Sequence, residues 1–138
     1  MPKEVFEIEG IKWYGTNIYK FPNDKEGLII SLAGYPHYFD TKSDENLILI
    51  DWEDMEPLDW NKNQWLEFLE HVEKMNFKRI YVGCIGGHGR TGTFLAIVSA
   101  LKKVTDNPIN FIRQRLCRHC IETISQEEYI RIITGIDL

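Results

Sequence analysis

A short stretch in the second half of the chain constrains the fold more than any other feature. Residues 79–83, RIYVG, are mostly apolar after the initial arginine, as is typical of a buried strand, and they lead directly into Cys84. The stretch Gly83–Thr93 reads GCIGGHGRTGT, and an apolar helix is predicted at Thr91–Val104. A strand that passes through a glycine-rich loop into a buried helix is typical of an α/β sheet. The loop is therefore predicted at the carboxyl end of a strand, where α/β proteins hold their ligands.

The residue types in this loop indicate an anion-binding site that contains a nucleophile. Gly86, Gly87 and Gly89 let the backbone curl so that successive N–H groups point inward. The following helix adds its own unpaired N–H groups and the positive end of its dipole. Arg90 can offer two parallel hydrogen bonds to phosphate oxygens, and the same positive field favours thiolate over thiol at Cys84. The loop thus predicts attack by the Cys84 sulfur on a phosphoryl group.

The order of residues in Cys84–Thr91, a cysteine, five residues, an arginine and a threonine, resembles the signature of the protein tyrosine phosphatase superfamily. The form GGHGRTG is most similar to its dual-specificity branch. The resemblance implies that Cys84 is the nucleophile and that Arg90 binds phosphate and stabilises the charge of the transition state. It also implies that the Thr91 hydroxyl helps the cysteine leave when the cysteinyl-phosphate is hydrolysed, although a threonine here also suits a helix cap.

The resemblance further implies that the phosphate lies within the loop itself. The residues expected to bind it are Ile85, Gly86, Gly87, His88, Gly89 and Arg90. One position departs from the family pattern, because Gly83 stands where a histidine usually precedes the cysteine. His88 is interpreted as a partial replacement for the charge of that histidine.

A general acid must protonate the departing oxygen, and the segment Trp52–Pro57, WEDMEP, supplies candidates just past a predicted strand. It resembles the mobile acid loop of the superfamily, in which an aspartate is followed by a proline. Asp54 is the preferred acid on this resemblance, although Glu53 stands where a proline is usual. Asp51 is the rival acid, and a solvated acidic loop without a catalytic role is the alternative to both.

The segment Ile121–Ile130 resembles a second family element, in which a Glu-Thr pair is followed by a glutamine. The resemblance implies that Gln126 orients the water that attacks the phosphoenzyme and that Glu122 holds the loop through a hydrogen bond. A glutamine near a helix start is also an ordinary feature. Ser125 and Glu128 have the spacing of a capping box, which predicts the start of the last helix.

Cys117 and Cys120 form a CxxC pair, which is a pattern of redox or zinc sites. There is no second CxxC in the sequence, so both are interpreted as ordinary cysteines. A disulfide between one of them and oxidised Cys84 is a minor alternative. Neither a metal nor a cofactor is expected.

The periodicity of the chain predicts an α/β fold with a mainly parallel central sheet and helices on both faces, in one phosphatase domain over residues 1–138. Short strands are predicted at Ile11–Tyr14 and Asn17–Phe21 around a Gly15-Thr16 turn. The other predicted strands are Leu28–Leu32, Leu47–Ile50 and Arg79–Gly83. Besides Thr91–Val104, helices are predicted at Asn61–Met75, from Pro108, and from the Ser125 capping box through Ile133.

Composition narrows the partners and the compartment. The formal net charge of −5 argues against general affinity for nucleic acid or acidic membranes. The sequence contains no apolar run long enough to cross a bilayer, and residues 1–10 lack the pattern of a signal peptide. A cytoplasmic location is expected, since a thiolate nucleophile needs a reducing compartment and the three cysteines do not form the even-numbered, spaced framework of a disulfide-rich protein. The oligomeric state is left open.

The resemblance implies that the substrates are proteins phosphorylated on tyrosine, and also on serine or threonine, because the chain is short for the superfamily and lacks room for the elements that deepen the pocket of its larger members. The segment Gly34–Asn46 is interpreted as a rim, although its aromatic side chains could equally fold into the core. These side chains are Tyr35, Tyr38 and Phe39, with His37 among them. Two alternatives are kept: an RNA 5′-triphosphatase or other non-protein phosphatase, and a phosphate-binding pseudophosphatase with little turnover.

Overall fold

The computed structural model describes residues 2–33 and 46–136. These residues form five strands and four helices. The strands are β1 (Lys3–Ile8), β2 (Ile11–Asn17), β3 (Gly27–Ser31), β4 (Leu47–Leu49) and β5 (Arg79–Cys84). The helices are α1 (Lys62–Lys74), α2 (Gly89–Leu101), α3 (Pro108–Arg115) and α4 (Ile124–Thr134). The rim proposed around Tyr35, His37, Tyr38 and Phe39 lies outside the described residues.

The strands form one sheet in the order β1-β2-β5-β3-β4. Only the β1–β2 pair is antiparallel among them, and the three other pairings are parallel. Asn17 pairs with Cys84 and Ser31 pairs with Gly83, so β2, β3 and β5 end at the same edge. The predicted α/β class with a mainly parallel sheet is confirmed.

The core lies between the sheet and the helices. Ile80 and Val82 of β5 belong to one apolar cluster, and all four helices contribute buried side chains to that same cluster. These helical side chains include Trp65, Leu69, Phe94, Ile97, Ile112 and Ile130. Tyr81 points to the other face, where its ring stacks on Tyr14 at 4.9 Å. In α2 every residue of 89–99 is buried, as its apolar sequence predicts.

The predicted N-terminal hairpin is wrong in position. Gly15 and Thr16 do not form its turn, because both lie inside β2, and the turn joining β1 to β2 is at Glu9-Gly10. Both turn residues have positive φ, 51° and 83°. Gly15 is needed for packing instead, since a Cβ there would lie 2.8 Å from the Leu116 side chain. A glycine that admits a neighbouring side chain has the same sequence signal as a turn glycine.

The start of the last helix also differs from the prediction. Ser125 and Glu128 do not form its capping box, which consists of Thr123 and Gln126. The Thr123 hydroxyl accepts a hydrogen bond from the Gln126 N–H at 3.1 Å, and Gln126 Oε1 accepts one from the Thr123 N–H at 3.3 Å. Two overlapping capping patterns occur here, and the earlier one is used because Thr123 has the extended backbone of an N-cap residue. None of the described helices is long and apolar enough to cross a bilayer.

Candidate active site

Cys84 is the last residue of β5 and is buried, with 3% of its surface exposed. Its sulfur accepts hydrogen bonds from the Gly87 N–H at 3.2 Å and from the Thr91 hydroxyl at 3.0 Å. Donors that converge on a sulfur stabilise negative charge on it. The structure therefore brings Cys84 and Thr91 together in the geometry that the signature implies.

Two glycines shape the loop around this sulfur. Gly87 has φ of 78°, the left-handed region that favours glycine, and this conformation turns its N–H toward Cys84. Gly83 precedes the cysteine, and a Cβ there would lie 2.7 Å from the Phe21 ring. Phe21 thus occupies the space in which a larger side chain would lie. This packing gives a physical reason for the absence of the histidine that the signature usually has at position 83.

Arg90 lies in the first turn of α2 and is only 5% exposed. Its Nη1 donates to the carbonyl oxygens of Trp52 at 2.8 Å and Leu32 at 3.4 Å. The guanidinium is thereby tied to the segments that follow β3 and β4. Its Nε lies 3.5 Å from Asp54 Oδ1, within ion-pair range, but makes no hydrogen bond among the described residues. One nitrogen anchors the group while another remains available to a further acceptor.

The segment Trp52–Pro57, which contains Asp54, is held by two side-chain hydrogen bonds. The buried Trp52 ring donates from Nε1 to the Glu56 carbonyl at 2.7 Å, and the Thr123 hydroxyl donates to the Met55 carbonyl at 3.3 Å. The Asp54 side chain is 61% exposed and lies beside Arg90. Asp51 and Asp54 both line a cavity of about 450 Å³ that also contains Arg90. The structure thus brings both candidate acids to one cavity. Of the two, Asp54 makes the ion pair with Arg90.

Gln126 is completely buried next to the loop. Its Oε1 accepts from the N–H groups of Glu122 and Thr123, so the amide has a structural role in capping α4. Its Nε2 makes no hydrogen bond among the described residues. A Cβ on Gly89 would lie 3.2 Å from that nitrogen and 2.5 Å from Glu122 Oε1, so both side chains reach the loop that follows Cys84. The implied water-orienting role of Gln126 stays a prediction.

The interpretation of Cys117 and Cys120 as two ordinary cysteines is wrong. They form a disulfide, with Cα atoms 5.4 Å apart, while Cys84 is a free thiol. A tight turn, in which the Cys120 N–H donates to the Cys117 carbonyl at 3.3 Å, brings the two together. The ring of His88 lies against this pair, with Nδ1 at 3.2 Å from the Cys117 sulfur. Its contact with a residue 29 positions away was not visible from spacing alone.

A second polar cluster, at the opposite end of β5, was missed by the sequence analysis. Asp24 accepts from Arg79 Nε, from Arg79 Nη2 at 3.0 Å and from the Tyr81 hydroxyl at 2.7 Å. The Arg79 hydrogen bonds hold the pKa of Asp24 well below its ordinary value. Burial, together with the hydrogen bond to Asp24, raises the pKa of Tyr81 to about 12. No local signal could have paired Asp24 with residues 55 and 57 positions away.

Comparison with known proteins identifies a matching family and two relatives of this chain. A model of the family described as protein-tyrosine phosphatase matches residues 22–133, which contain every candidate residue above. Two proteins of Methanocaldococcus jannaschii share sequence with the chain. Uncharacterized protein MJ0215 is 48% identical over 60 residues, or 44% of this chain and 36% of that protein. Uncharacterized protein MJECL20 is 49% identical over 55 residues, or 40% of this chain and 37% of that protein. The matches thus span little more than a third of those relatives' own lengths.

The fold is similar to two solved structures. One is described as Tk-PTP in the active form, with a TM-score of 0.69, 16% identity and coverage of 97% of both chains. The other is Tk-PTP in a glycine-to-alanine mutant form, with a TM-score of 0.66, 15% identity and coverage of 96% of this chain and 95% of that one. At this identity the likeness establishes the fold.

Proposed function

Because this chain belongs to the protein-tyrosine phosphatase family, we propose that it hydrolyses phosphate monoesters through a cysteinyl-phosphate intermediate. One observation carries the proposal. The sulfur of Cys84 accepts two hydrogen bonds at the head of a loop that ends in the buried Arg90. A phosphatase of this kind needs a stabilised sulfur and a fixed cation at the two ends of one anion-binding loop.

In the first step, the Cys84 sulfur forms a bond to phosphorus while the bond from phosphorus to the leaving oxygen breaks. The loop N–H groups and Arg90 stabilise the negative charge on the remaining phosphoryl oxygens. The carbonyl contacts of Arg90 Nη1 fix the guanidinium before substrate arrives, so little reorganisation is needed. Asp54 donates its proton to the leaving oxygen, which departs as an alcohol or phenol.

In the second step, a water oxygen attacks phosphorus and the phosphorus–sulfur bond breaks. Gln126 orients the water through its Nε2, and Asp54 accepts the water proton. The Thr91 hydroxyl, 3.0 Å from the sulfur, stabilises the departing thiolate. The products are inorganic phosphate and the free enzyme. Every group in this cycle belongs to the described residues.

We prefer Asp54 over Asp51 as the general acid because of its ion-pair distance to Arg90. A carboxyl oxygen 3.5 Å from Arg90 Nε lies beside the group that would hold the phosphate. Both aspartates line the cavity, so the assignment rests on this contact and on the resemblance of the loop.

For substrates, we propose phosphotyrosine and phosphorylated serine or threonine in proteins, in the cytoplasm. Trp52 and Ile85 line the cavity, and Ile85 is 44% exposed, which provides an apolar surface for an aryl or alkyl leaving group. The net charge of −5 gives no support to a long RNA partner. The Cys117–Cys120 disulfide removes part of the argument for a reducing compartment, which now depends on the free Cys84 thiol.

The test of the reaction is Cys84→Ser. We expect it to abolish turnover of p-nitrophenyl phosphate while phosphate or vanadate still binds in a calorimetric titration, because the loop N–H groups and Arg90 remain. Acid quenching of wild type with radiolabelled substrate should trap phosphate on the peptide that contains Cys84. Unchanged turnover in the serine variant, or label on another residue, would rule the mechanism out.

The test of the substrate class is a panel of phosphotyrosine, phosphoserine and phosphothreonine peptides, an inositol phosphate and a 5′-triphosphate RNA. We expect the highest kcat/KM for the phosphotyrosine peptide and measurable rates for the other two peptides. A preference for the RNA would instead favour the triphosphatase, and binding without turnover of any substrate would favour the pseudophosphatase.

A further inference from the structure

Three possible metal-ligand atoms meet beside the loop that follows Cys84. They are a ring nitrogen of His88 and the sulfurs of Cys117 and Cys120, and all lie within 4.8 Å of one another; His88 Nδ1 is 3.2 Å from the Cys117 sulfur. His88 is exposed, Cys117 is half-buried and Cys120 is fully buried. The cluster is thus closed on its protein side and reachable by solvent on the side of His88.

The backbone that carries these donors is held by contacts outside the cluster. The Ile121 N–H donates to the His88 carbonyl at 3.4 Å, which links the cysteine turn to the start of α2. Arg113 of α3 donates to the carbonyls of Cys120 at 3.1 Å and Ile121 at 3.0 Å. These contacts are independent of the bond between the two sulfurs, so we expect them to keep the donors near one another when that bond is reduced.

We propose that the dithiol form of this chain binds one zinc-like divalent cation through His88, Cys117 and Cys120. Two thiolates and one imidazole are ligands that zinc prefers, and two intervening residues are a common spacing for a cysteine pair on that metal. The two thiolates balance the charge of the cation. A fourth, solvent-derived ligand completes a tetrahedron on the exposed side. The sequence has no second CxxC pair, and His88 supplies the additional ligand in its place.

The disulfide and the metal are mutually exclusive states of the same two sulfurs. A thiol or phosphine reductant supplies two electrons, the bond between Cys117 and Cys120 breaks, and two protons give two thiols. Metal binding then releases both protons, while neutral His88 donates its Nδ1 lone pair. Since His88 lies within the loop proposed to hold phosphate, each state places a different constraint on that loop. The binding itself does not depend on the proposed catalytic role of Cys84.

Cobalt(II) titration of the Cys84→Ser protein tests the site, because that variant removes the third thiol as a competing ligand. The protein is reduced with a phosphine, freed of reductant and titrated without oxygen. We expect one cobalt per chain, with tetrahedral visible bands and a thiolate-to-metal charge-transfer band, all removed by zinc. The oxidised protein should show none of these bands. Their absence from the reduced protein, or their presence in the oxidised one, would overturn the proposal.

Variants in the same Cys84→Ser background assign the ligands. Cys117→Ser should weaken the charge-transfer band and lower the affinity by at least about 10-fold, since loss of outer partners alone costs 10- to 100-fold. His88→Ala should lower the affinity similarly while keeping the two-thiolate band. His119→Ala is the matched control and should bind as before. Unchanged binding in both Cys117→Ser and His88→Ala, or loss in His119→Ala instead, would show that the metal lies elsewhere. Circular dichroism of each variant excludes misfolding as the cause.

Discussion

The two ends of β5 carry two arginines that the structure treats differently. Arg79, at the start of the strand, makes a two-nitrogen fork with Asp24, whose carboxylate also accepts from Tyr81. Arg90, beyond the other end, is more deeply buried, yet it is anchored through Nη1 to carbonyl oxygens and approaches Asp54 only at 3.5 Å. One guanidinium has a partner of full opposite charge, and the other has a fixed position with a nitrogen left for a further acceptor.

The difference shows how the same residue type serves structure or chemistry. Arg79 uses two of its nitrogens in hydrogen bonds to one carboxylate, and this pairing holds the segment around Asp24 against the sheet. Arg90 is held by neutral carbonyls, and the Asp54 carboxylate lies 3.5 Å from its Nε without a hydrogen bond, so its buried charge is only partly compensated, as the proposed phosphate site requires. The depth of burial alone does not distinguish the roles of the two arginines. The acceptors of their hydrogen bonds do, since Arg79 binds a carboxylate and Arg90 binds backbone carbonyls.

The largest effect is expected for Arg90→Lys. Lysine keeps the charge but loses the planar fork, so kcat on p-nitrophenyl phosphate should fall by roughly 10²-fold or more, as on removing one preorganised donor. Arg79→Lys is the matched control and should leave kcat unchanged while lowering the unfolding midpoint. A near-normal rate for Arg90→Lys would show that Arg90, like Arg79, has only a structural role.

A smaller and selective effect is expected for Asp54→Asn. Hydrolysis of an ester with a poor leaving group, such as a phosphothreonine peptide, should slow by about 10²-fold, the low end for general acids, because the carboxyl is 61% exposed and water can partly replace it. An activated aryl phosphate should be affected far less. Kinetics of Asp51→Asn on both substrates provide the control. If Asp51→Asn shows this selectivity and Asp54→Asn does not, the acid has been assigned three residues too late.

The smallest effect is on stability and concerns Asp24→Asn. Removing one charge of the fork should lower the free energy of unfolding by ~1.5–3 kcal/mol, the range for hydrogen bonds to charged groups, without changing kcat. Glu26→Gln is the control, because its partner Lys78 and Glu26 itself are 70% and 55% exposed and such pairs contribute little. Urea denaturation of the three proteins measures both changes.

The pH dependence sharpens that test. The pKa of Asp24 in the folded chain is below its ordinary value of 3.8, so its contribution to stability is present above that pH and is lost as the pH falls below it. The gap in stability between wild type and Asp24→Asn should therefore be widest near neutral pH and narrow under acid conditions. A gap that is constant with pH would mean that Asp24 acts through packing rather than charge.

Sequence reasoning was strongest where a function is concentrated in adjacent residues. Cys84, Gly87 and Thr91 come together because a strand, a loop and a helix start follow one another directly, so local pattern was enough. Sequence reasoning failed where a contact joins residues that are far apart in the chain, because the residues around each position give no indication of its partner. Gly15 was read as a turn because its partner Leu116 lies far along the chain, and Asp24 carries no mark of its bond to Arg79. The Cys117–Cys120 disulfide is local, and it was misread because the absence of a second CxxC was taken as a sign of two ordinary cysteines, whereas the contact of this pair with His88 is remote in sequence.

The place of β5 in the sheet has a consequence for how the molecule is assembled. β2 and β3 are consecutive strands along the chain, yet β5 lies between them in the sheet. Neither β2 nor β3 pairs with the other, so the sheet is complete only when β5, residues 79–84, pairs with both. Pairings between such distant segments form late and slowly, because the loops that close them cost entropy before contacts compensate. The strand that ends at Cys84 is thus the one that completes the sheet. Partly folded chains should then lack the ordered loop after Cys84, so the proposed activity should appear only at the final step of folding.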